Sequence, residues 1–240
     1  MNNQPPEKRI NSFFHLEVKD IFYTIQGEGP WTGQPSVFVR LAGCTLQCSW
    51  CDTDYTSHRT DFLVPELVKH IQLKDQSLCR RVVLTGGEPF RQHASISLIE
   101  QLLEQNFQVQ IETSGSCFFE NDWIHCLKKF PKERWPILVC SPKTHQIHPK
   151  IHSFISAYKF VVQFGKTHCG LPVISAITGK SQPLFQLKGD QFGKIPPVYL
   201  SPCDEQDAEK NHLNMQQAVA DCLHFGYILS LQVHKIIGVP

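Results

Sequence analysis

Apolar positions along the chain follow two rhythms. Short β-rich runs at Val37–Leu41, Val82–Leu84, Val109–Glu112, Ile137–Cys140, Lys159–Val162 and Val198–Leu200 predict six strands. Several are continuously apolar, as expected of parallel strands covered on both faces. Longer stretches between them carry apolar residues at helical spacing. Pro65–Ile71 predicts one helix, and Ser95–Gln105 a second with Ile96, Ile99, Leu102 and Leu103 on one stripe. Asn211–Phe225 predicts a third, with Leu213, Ala218, Val219, Cys222 and Leu223 at similar intervals. Strand–helix alternation of this kind predicts an α/β chain with a parallel sheet. The Gly-, Pro- and Lys-rich stretch at 165–197 predicts an irregular excursion. A last β-like run, Ile228–Val233, leads to an apolar ending at Pro240, which predicts docking against the body rather than fraying.

Length and composition narrow the class. A chain of 240 residues predicts a single domain over 1–240 that buries its core without staples. Apolar residues at 41% and charged ones at 19% exclude a disordered or fibrous chain. Lys+Arg 23 against Asp+Glu 22 leaves a net charge of +1, which argues against a phosphate-neutralising face and hence against nucleic acid. The first residues lack an apolar signal core, and no apolar run approaches the ~20 residues that span a bilayer. A cytoplasmic protein away from membranes is therefore expected. Ten cysteines are too few for a small disulfide scaffold and, in a reducing compartment, point to metal or redox chemistry.

Three of the ten are grouped. Cys44, Cys48 and Cys51 follow the first strong strand with the spacing C-x3-C-x2-C. Positions i, i+4 and i+7 share a helical face, so a stripe of small core residues is one reading. The surrounding Gly, Thr, Ser and Asp are weak helix formers and oppose it. Structural zinc would need a fourth ligand, His58 or Cys79. A [4Fe–4S] cluster ordinarily takes four thiolates, so three leave one iron open to another ligand. A second motif, Thr85-Gly86-Gly87-Glu88-Pro89, ends the next predicted strand. Its bare glycines let a ligand approach the backbone, where α/β folds place active sites; alone, it would be a plain turn.

Together the two motifs resemble the radical S-adenosylmethionine (SAM) superfamily. The resemblance implies a partial, shortened (β/α) barrel of the radical SAM type with about six core parallel strands. The six predicted runs support the shortening independently, since a full barrel usually takes ~250 residues. It also implies that the open iron chelates SAM. An electron from the cluster then cleaves SAM, and the resulting 5′-deoxyadenosyl radical takes hydrogen from the substrate.

Ile25-Gln26-Gly27-Glu28-Gly29, Cys51-Asp52-Thr53-Asp54, Glu112-Thr113-Ser114-Gly115 and His234…Pro240 occur in this order. They resemble the 7-carboxy-7-deazaguanine synthase family of queuosine precursor synthesis, from about Phe22 to Pro240 and most weakly at 165–197. The implied reaction converts 6-carboxy-5,6,7,8-tetrahydropterin to 7-carboxy-7-deazaguanine with loss of ammonia, using the [4Fe–4S] cluster, SAM and Mg²⁺. The resemblance assigns Cys44, Cys48 and Cys51 to the cluster and Thr53 to Mg²⁺, although a turn residue is the plainer reading of Thr53 alone. It assigns Ile25, Gln26, Gly27, Glu28, Arg40, Thr85, His234 and Pro240 to the substrate. Gln26 and Glu28 suit a guanidine-like edge, and Pro240 would offer its free carboxylate. Arg40, mid-strand among Phe38, Val39 and Leu41, needs an anion, either the substrate carboxylate or a structural partner.

Trp50, Asp52, Gly87, Glu112, Ser141, Pro142, Lys143, Ser201, Pro202, Cys203 and Asp204 are assigned to SAM; many relatives have Gln where Ser201 stands. No residue is implied to be catalytic beyond the cluster and SAM. A homodimer and an external flavodoxin-like or ferredoxin-like one-electron reductant are implied as partners. Two alternatives remain at this point: an activating enzyme that makes a glycyl radical on another protein, and a non-catalytic zinc or iron–sulfur module. Cys79, Cys117, Cys126, Cys140, Cys169 and Cys222 read as small, mostly buried residues.

Overall fold

A computed structural model describes residues 3–75, 79–190 and 193–240. In chain order its elements are β1 (His15–Ile25), β2 (Pro35–Leu41), β3 (Thr60–Leu63), α1 (Val64–Lys74), β4 (Arg81–Gly86), α2 (Ala94–Glu104), β5 (Gln108–Thr113) and α3 (Glu120–Leu127). They continue with β6 (Ile137–Cys140), β7 (Ala157–Val162), β8 (Thr167–His168), β9 (Leu171–Pro172), β10 (Val198–Pro202), α4 (Ala208–Phe225), β11 (Ile228–Leu229) and α5 (Val233–Ile237). One nine-stranded sheet runs β11-β10-β7-β6-β5-β4-β2-β1-β3. From β11 to β2 every pairing is parallel, and β1 and β3 add an antiparallel edge. All six predicted strands lie in the parallel part. Among the described residues, no helix is long and apolar enough to cross a membrane.

Strand alternation gives the sheet two unlike faces. Val39, Leu41, Val82, Leu84, Val109, Ile111, Leu138, Cys140, Phe160 and Leu200 are all buried in the main core. The predicted stripe of α2 packs there too: Ile96, Ile99, Leu102 and Leu103 are at most 5% exposed. The alternate residues face the other way. Their lower row is apolar: Phe38 pairs with Val83, and both join Trp31, Phe22 and Ile137 in a second small cluster. Their upper row is polar. Arg40 pairs with Thr85, and Glu112 with Val139. The second face therefore has an apolar floor and a polar rim.

Several expectations need correction. In the run expected as a strand at Ile228–Val233, only Ile228–Leu229 pairs, because β11 has a single neighbour, β10. Val233 instead opens α5, its N–H donating to the Gly27 carbonyl. The expected α4 stripe is also wrong in detail. Asn214, Ala218 and Asp221 form its buried positions, while Val219 and Leu223 are exposed. The Asn214 amide satisfies the Cys203 carbonyl and the Phe164 N–H, and Asp221 accepts from Thr167, so this helix is fastened by polar contacts. The excursion at 165–197 holds the short β8–β9 hairpin and an Ile174–Ser181 bridge; residues 191–192 lie outside the described residues. Cys169 is exposed in that hairpin at φ +49°, unlike the buried Cys117, Cys126 and Cys140. β1, β3, α3 and α5 were not predicted.

Candidate active site

The polar row opens into a cleft of ≈ 1420 Å³ at the C-terminal ends of the parallel strands. Every residue assigned above to the cluster, SAM, Mg²⁺ or the substrate lines this cleft except Gly27. Gly27 lies directly behind His234: a Cβ there would fall 2.0 Å from the His234 Nδ1 atom. Its lack of a side chain allows the chain before β2 to pack against α5.

The cluster loop leaves β2 at Ala42 and closes where the Gly43 N–H donates to the Tyr55 carbonyl at 2.8 Å. Cys44 and Cys48 are buried and Cys51 is half-buried. Burial raises all three thiols, Cys44 to about 12, so each holds its proton until a metal displaces it. Sulfur-rich, oxygen-poor ligation of this kind suits iron–sulfur chemistry. Among the described residues, no three His, Cys, Asp or Glu side chains converge on one ion. A cubane asks something different of its ligands, since each thiolate takes a separate iron. Three thiols on one loop supply the donor chemistry that such a cluster takes.

The two glycines after Thr85 serve the same loop. A Cβ on Gly86, which has φ +132°, would lie 2.1 Å from the Leu41 carbonyl oxygen. One on Gly87 would lie 2.0 Å from that of Gly43 and 2.9 Å from Cys44 Cβ. The sequence anticipated a ligand's close approach here; the approach in the structure is that of the chain's own cluster loop. Glu88 completes the joint. Its N–H donates to the Gly43 carbonyl, while its buried carboxyl accepts from Thr113 Oγ1 at 2.7 Å, Ser114 N at 2.8 Å and Phe90 N at 3.1 Å. Burial raises this carboxyl despite those donors.

One end of the cleft carries a cation and a set of polar side chains. Arg40 donates to Thr53 Oγ1 at 3.4 Å, and its guanidinium lies 5.7 Å from the Phe22 ring centre. Among the described residues no carboxylate pairs with it. Glu112 accepts from Gln26 Nε2 and Thr85 Oγ1, each at 3.0 Å. Glu28 is ion-paired with Lys159 at 2.5 Å, both side chains being nearly buried. Burial alone would lower the Lys159 ammonium, but Glu28 and Glu112 carry it above its ordinary range. His234 is lowered, mainly by burial, which favours neutral imidazole. Thr24 Oγ1 donates to an oxygen of Pro240 at 2.9 Å.

The other end lies along the cluster loop. Lys143 Nζ sits 5.2 Å from the Trp50 ring centre and donates to Ser141 Oγ at 2.7 Å. Burial works to raise Asp52, but Lys235 and Gln232 carry it below its ordinary value. Lys235 also pairs with Asp204 at 2.8 Å, tying α5 to the end of β10. Ser201 is buried, and its Oγ has no hydrogen-bond partner among the described residues.

Sequence reasoning missed Lys159 and the wall at 172–182. Lys159 is flanked by Tyr158 and Phe160 in a predicted strand, and a lone lysine there was a findable signal, as it was for Arg40. The wall gave little signal, because much of its contact is made by backbone: Ser49 N donates to the Ala176 carbonyl, and Ala176 N to that of Lys143.

With this geometry in place, the chain can be set beside known proteins. Residues 39–144 match the Radical SAM superfamily. The 7-carboxy-7-deazaguanine synthase of Rhodospirillum rubrum is 39% identical over 232 residues, covering 93% of this chain and 92% of its own. That of Rickettsia prowazekii is 35% identical, covering 93% and 88%. The crystal structure of QueE from Escherichia coli superposes with a TM-score of 0.66 at 22% identity, covering 90% of this chain and 93% of its own; it shares the fold.

Proposed function

The chain belongs to the 7-carboxy-7-deazaguanine synthase family of radical SAM enzymes, and from that premise we propose how its cleft is shared between cofactor and substrate. It is a radical SAM lyase of queuosine precursor synthesis, with a [4Fe–4S] cluster and SAM as cofactors. Its substrate is 6-carboxy-5,6,7,8-tetrahydropterin and its product 7-carboxy-7-deazaguanine, with ammonia released.

When bound, the cluster and SAM supply the radical that opens the reaction. The protein's share is to hold and orient. Cys44, Cys48 and Cys51 hold the cluster. Trp50, Asp52, Gly87, Ser141–Lys143 and Ser201–Asp204 flank SAM. Arg40 takes the substrate carboxylate, aided by Mg²⁺ at the Thr53 hydroxyl, and the Gln26–Glu28 segment reads the pterin edge with His234 and Pro240 beside it. Glu112, expected with SAM, bonds to Gln26 and Thr85, which supports a role beside the substrate instead. A domain over 1–240 closes around this one site.

Arg40 carries the reading: a cation on the polar row, without a described carboxylate partner, beside the loop that bears the cysteines. Arg40→Ala should raise KM for the carboxypterin about 100-fold, and Arg40→Lys less, since a lysine cannot offer the planar fork. Unchanged KM in both variants would remove the assignment.

We also infer a homodimer in the cytoplasm, served by a small one-electron donor. Leu223, Phe225, Ile228, Leu229, Ile236 and Ile237 are all exposed on three successive elements, α4, β11 and α5, and offer the apolar face a second copy would cover.

A further inference from the structure

The segment before β1 crosses the cluster loop and is bonded to both of its ends. Gln4 Nε2 donates to the Thr53 carbonyl at 2.9 Å, and its Oε1 accepts from Tyr55 N at 2.7 Å. The Gln4 carbonyl in turn accepts from the hydroxyl of Tyr55, a residue only 1% exposed. At the other end of the loop, the Glu7 N–H donates to the Cys44 carbonyl at 2.7 Å.

Ion pairs fix the segment itself. The Glu7 carboxylate meets Arg59 at 2.8 Å and Arg91 at 2.6 Å, and both guanidiniums also hold Glu17, at 2.9 and 3.1 Å. Arg91 is buried against the loop: a Cβ on Gly43 would fall 2.5 Å from its Cζ. Beyond Glu7, Ile10 N donates to the Arg91 carbonyl, and His93 N to that of Ile10. The strap is thus anchored at Glu7 and Ile10 and reaches over the loop through Gln4.

We propose that residues 3–10 are a positioning strap for the cluster loop, with Gln4 setting Cys51 and Thr53. The Thr53 carbonyl is shared between two donors, Gln4 Nε2 and the Cys51 thiol at 3.6 Å. Gln4 Nε2 makes the shorter of the two contacts and holds the Thr53–Asp54 peptide, two residues past Cys51, and with it the Thr53 side chain. Residues behind metal ligands act in this way, by fixing the ligand's orientation.

The strap rests on the cluster assignment, and its effect on Mg²⁺ also rests on the Thr53 reading. The test compares Gln4→Ala, Gln4→Glu and Glu7→Gln with Trp135→Phe. The last loses two hydrogen bonds at the opposite end of the sheet and controls for general destabilisation. Iron release to a chelator is followed anaerobically on reconstituted protein without SAM, and turnover is titrated with Mg²⁺. Gln4→Ala should release iron, and require Mg²⁺ for half-maximal turnover, about tenfold more readily and at about tenfold higher concentration respectively, with kcat at saturating Mg²⁺ near that of the parent. Gln4→Glu keeps an acceptor for Tyr55 but loses the donor to Thr53, so it should match Gln4→Ala. Glu7→Gln should speed iron release. Trp135→Phe should change neither readout. Parent-like iron release in Gln4→Ala and Glu7→Gln, or equal change in the control, would overturn the strap. Turnover of the parent without any need of Mg²⁺ would sink the Thr53 reading alone, leaving iron release to decide.

Discussion

Buried charges stand at single positions along the cleft. Lys159 and Glu28 form a nearly buried pair, and removing one partner strands the other. Breaking such a pair typically costs roughly 3–5 kcal/mol. Lys159→Met should therefore lower the melting temperature and raise KM for the carboxypterin about tenfold or more through misplacement of Glu28, with Lys159→Arg in between. Steady-state kinetics alongside thermal unfolding measures both effects; unchanged KM would show that Glu28 does not touch the substrate. The ten cysteines separate at the same scale. Alanine at Cys44, Cys48 or Cys51 should abolish the cluster's visible absorption and SAM cleavage. Alanine at Cys79 or Cys169, away from the loop, should preserve both. Iron and sulfide analysis of the reconstituted variants checks this.

At the scale of elements, the second face of the sheet works because its lower row is dry. Trp31 caps that row against Phe38 and Val83, so Trp31→Ala should cost about 3–5 kcal/mol of stability, read by chemical denaturation. Asp204 and Lys235 join β10 to α5. The hydrogen bond from Lys235 is the main reason the Asp204 carboxyl sits at about 2, below its ordinary 3.8. The folded carboxyl binds its proton less tightly than the unfolded one. Its contribution is thus present above the unfolded value and lost as pH falls toward the folded value. Asp204→Asn should melt below the parent at neutral pH, and the gap should narrow from about pH 5 to about pH 3.

The same scale shows what the sequence made legible. The parallel strands announced themselves because both of their faces are covered, so apolar runs such as Val82–Leu84 stood out. β1 mixes Glu17, Lys19 and Asp20 with Leu16 and Val18 in the antiparallel part of the sheet, and no strand was predicted over it. α4 misled because its buried positions include Asn214 and Asp221, which act through hydrogen bonds rather than area. Residues with unusual chemistry for their surroundings, such as the cysteine triplet and Arg40, stood out for that reason, and all four line the cleft. Ser175 and Ala176 in the excursion wall were not, because wall contacts made by carbonyls carry no side-chain signature.

For the whole molecule, one cleft gathers residues from β1 to the last residue, and the C-terminal elements both wall it and expose an apolar face. A dimer through that face predicts that Leu229→Glu with Ile237→Glu yields monomers in sedimentation velocity, while the parent sediments as a dimer at micromolar concentration. The account as a whole is tested most directly by turnover. Reconstituted protein is incubated without oxygen with SAM, a one-electron reductant, Mg²⁺ and 6-carboxy-5,6,7,8-tetrahydropterin, and the product is identified by mass. The account predicts 7-carboxy-7-deazaguanine, with one ammonia released per product. Intact carboxypterin, in protein whose cluster is present and cleaves SAM, would contradict it.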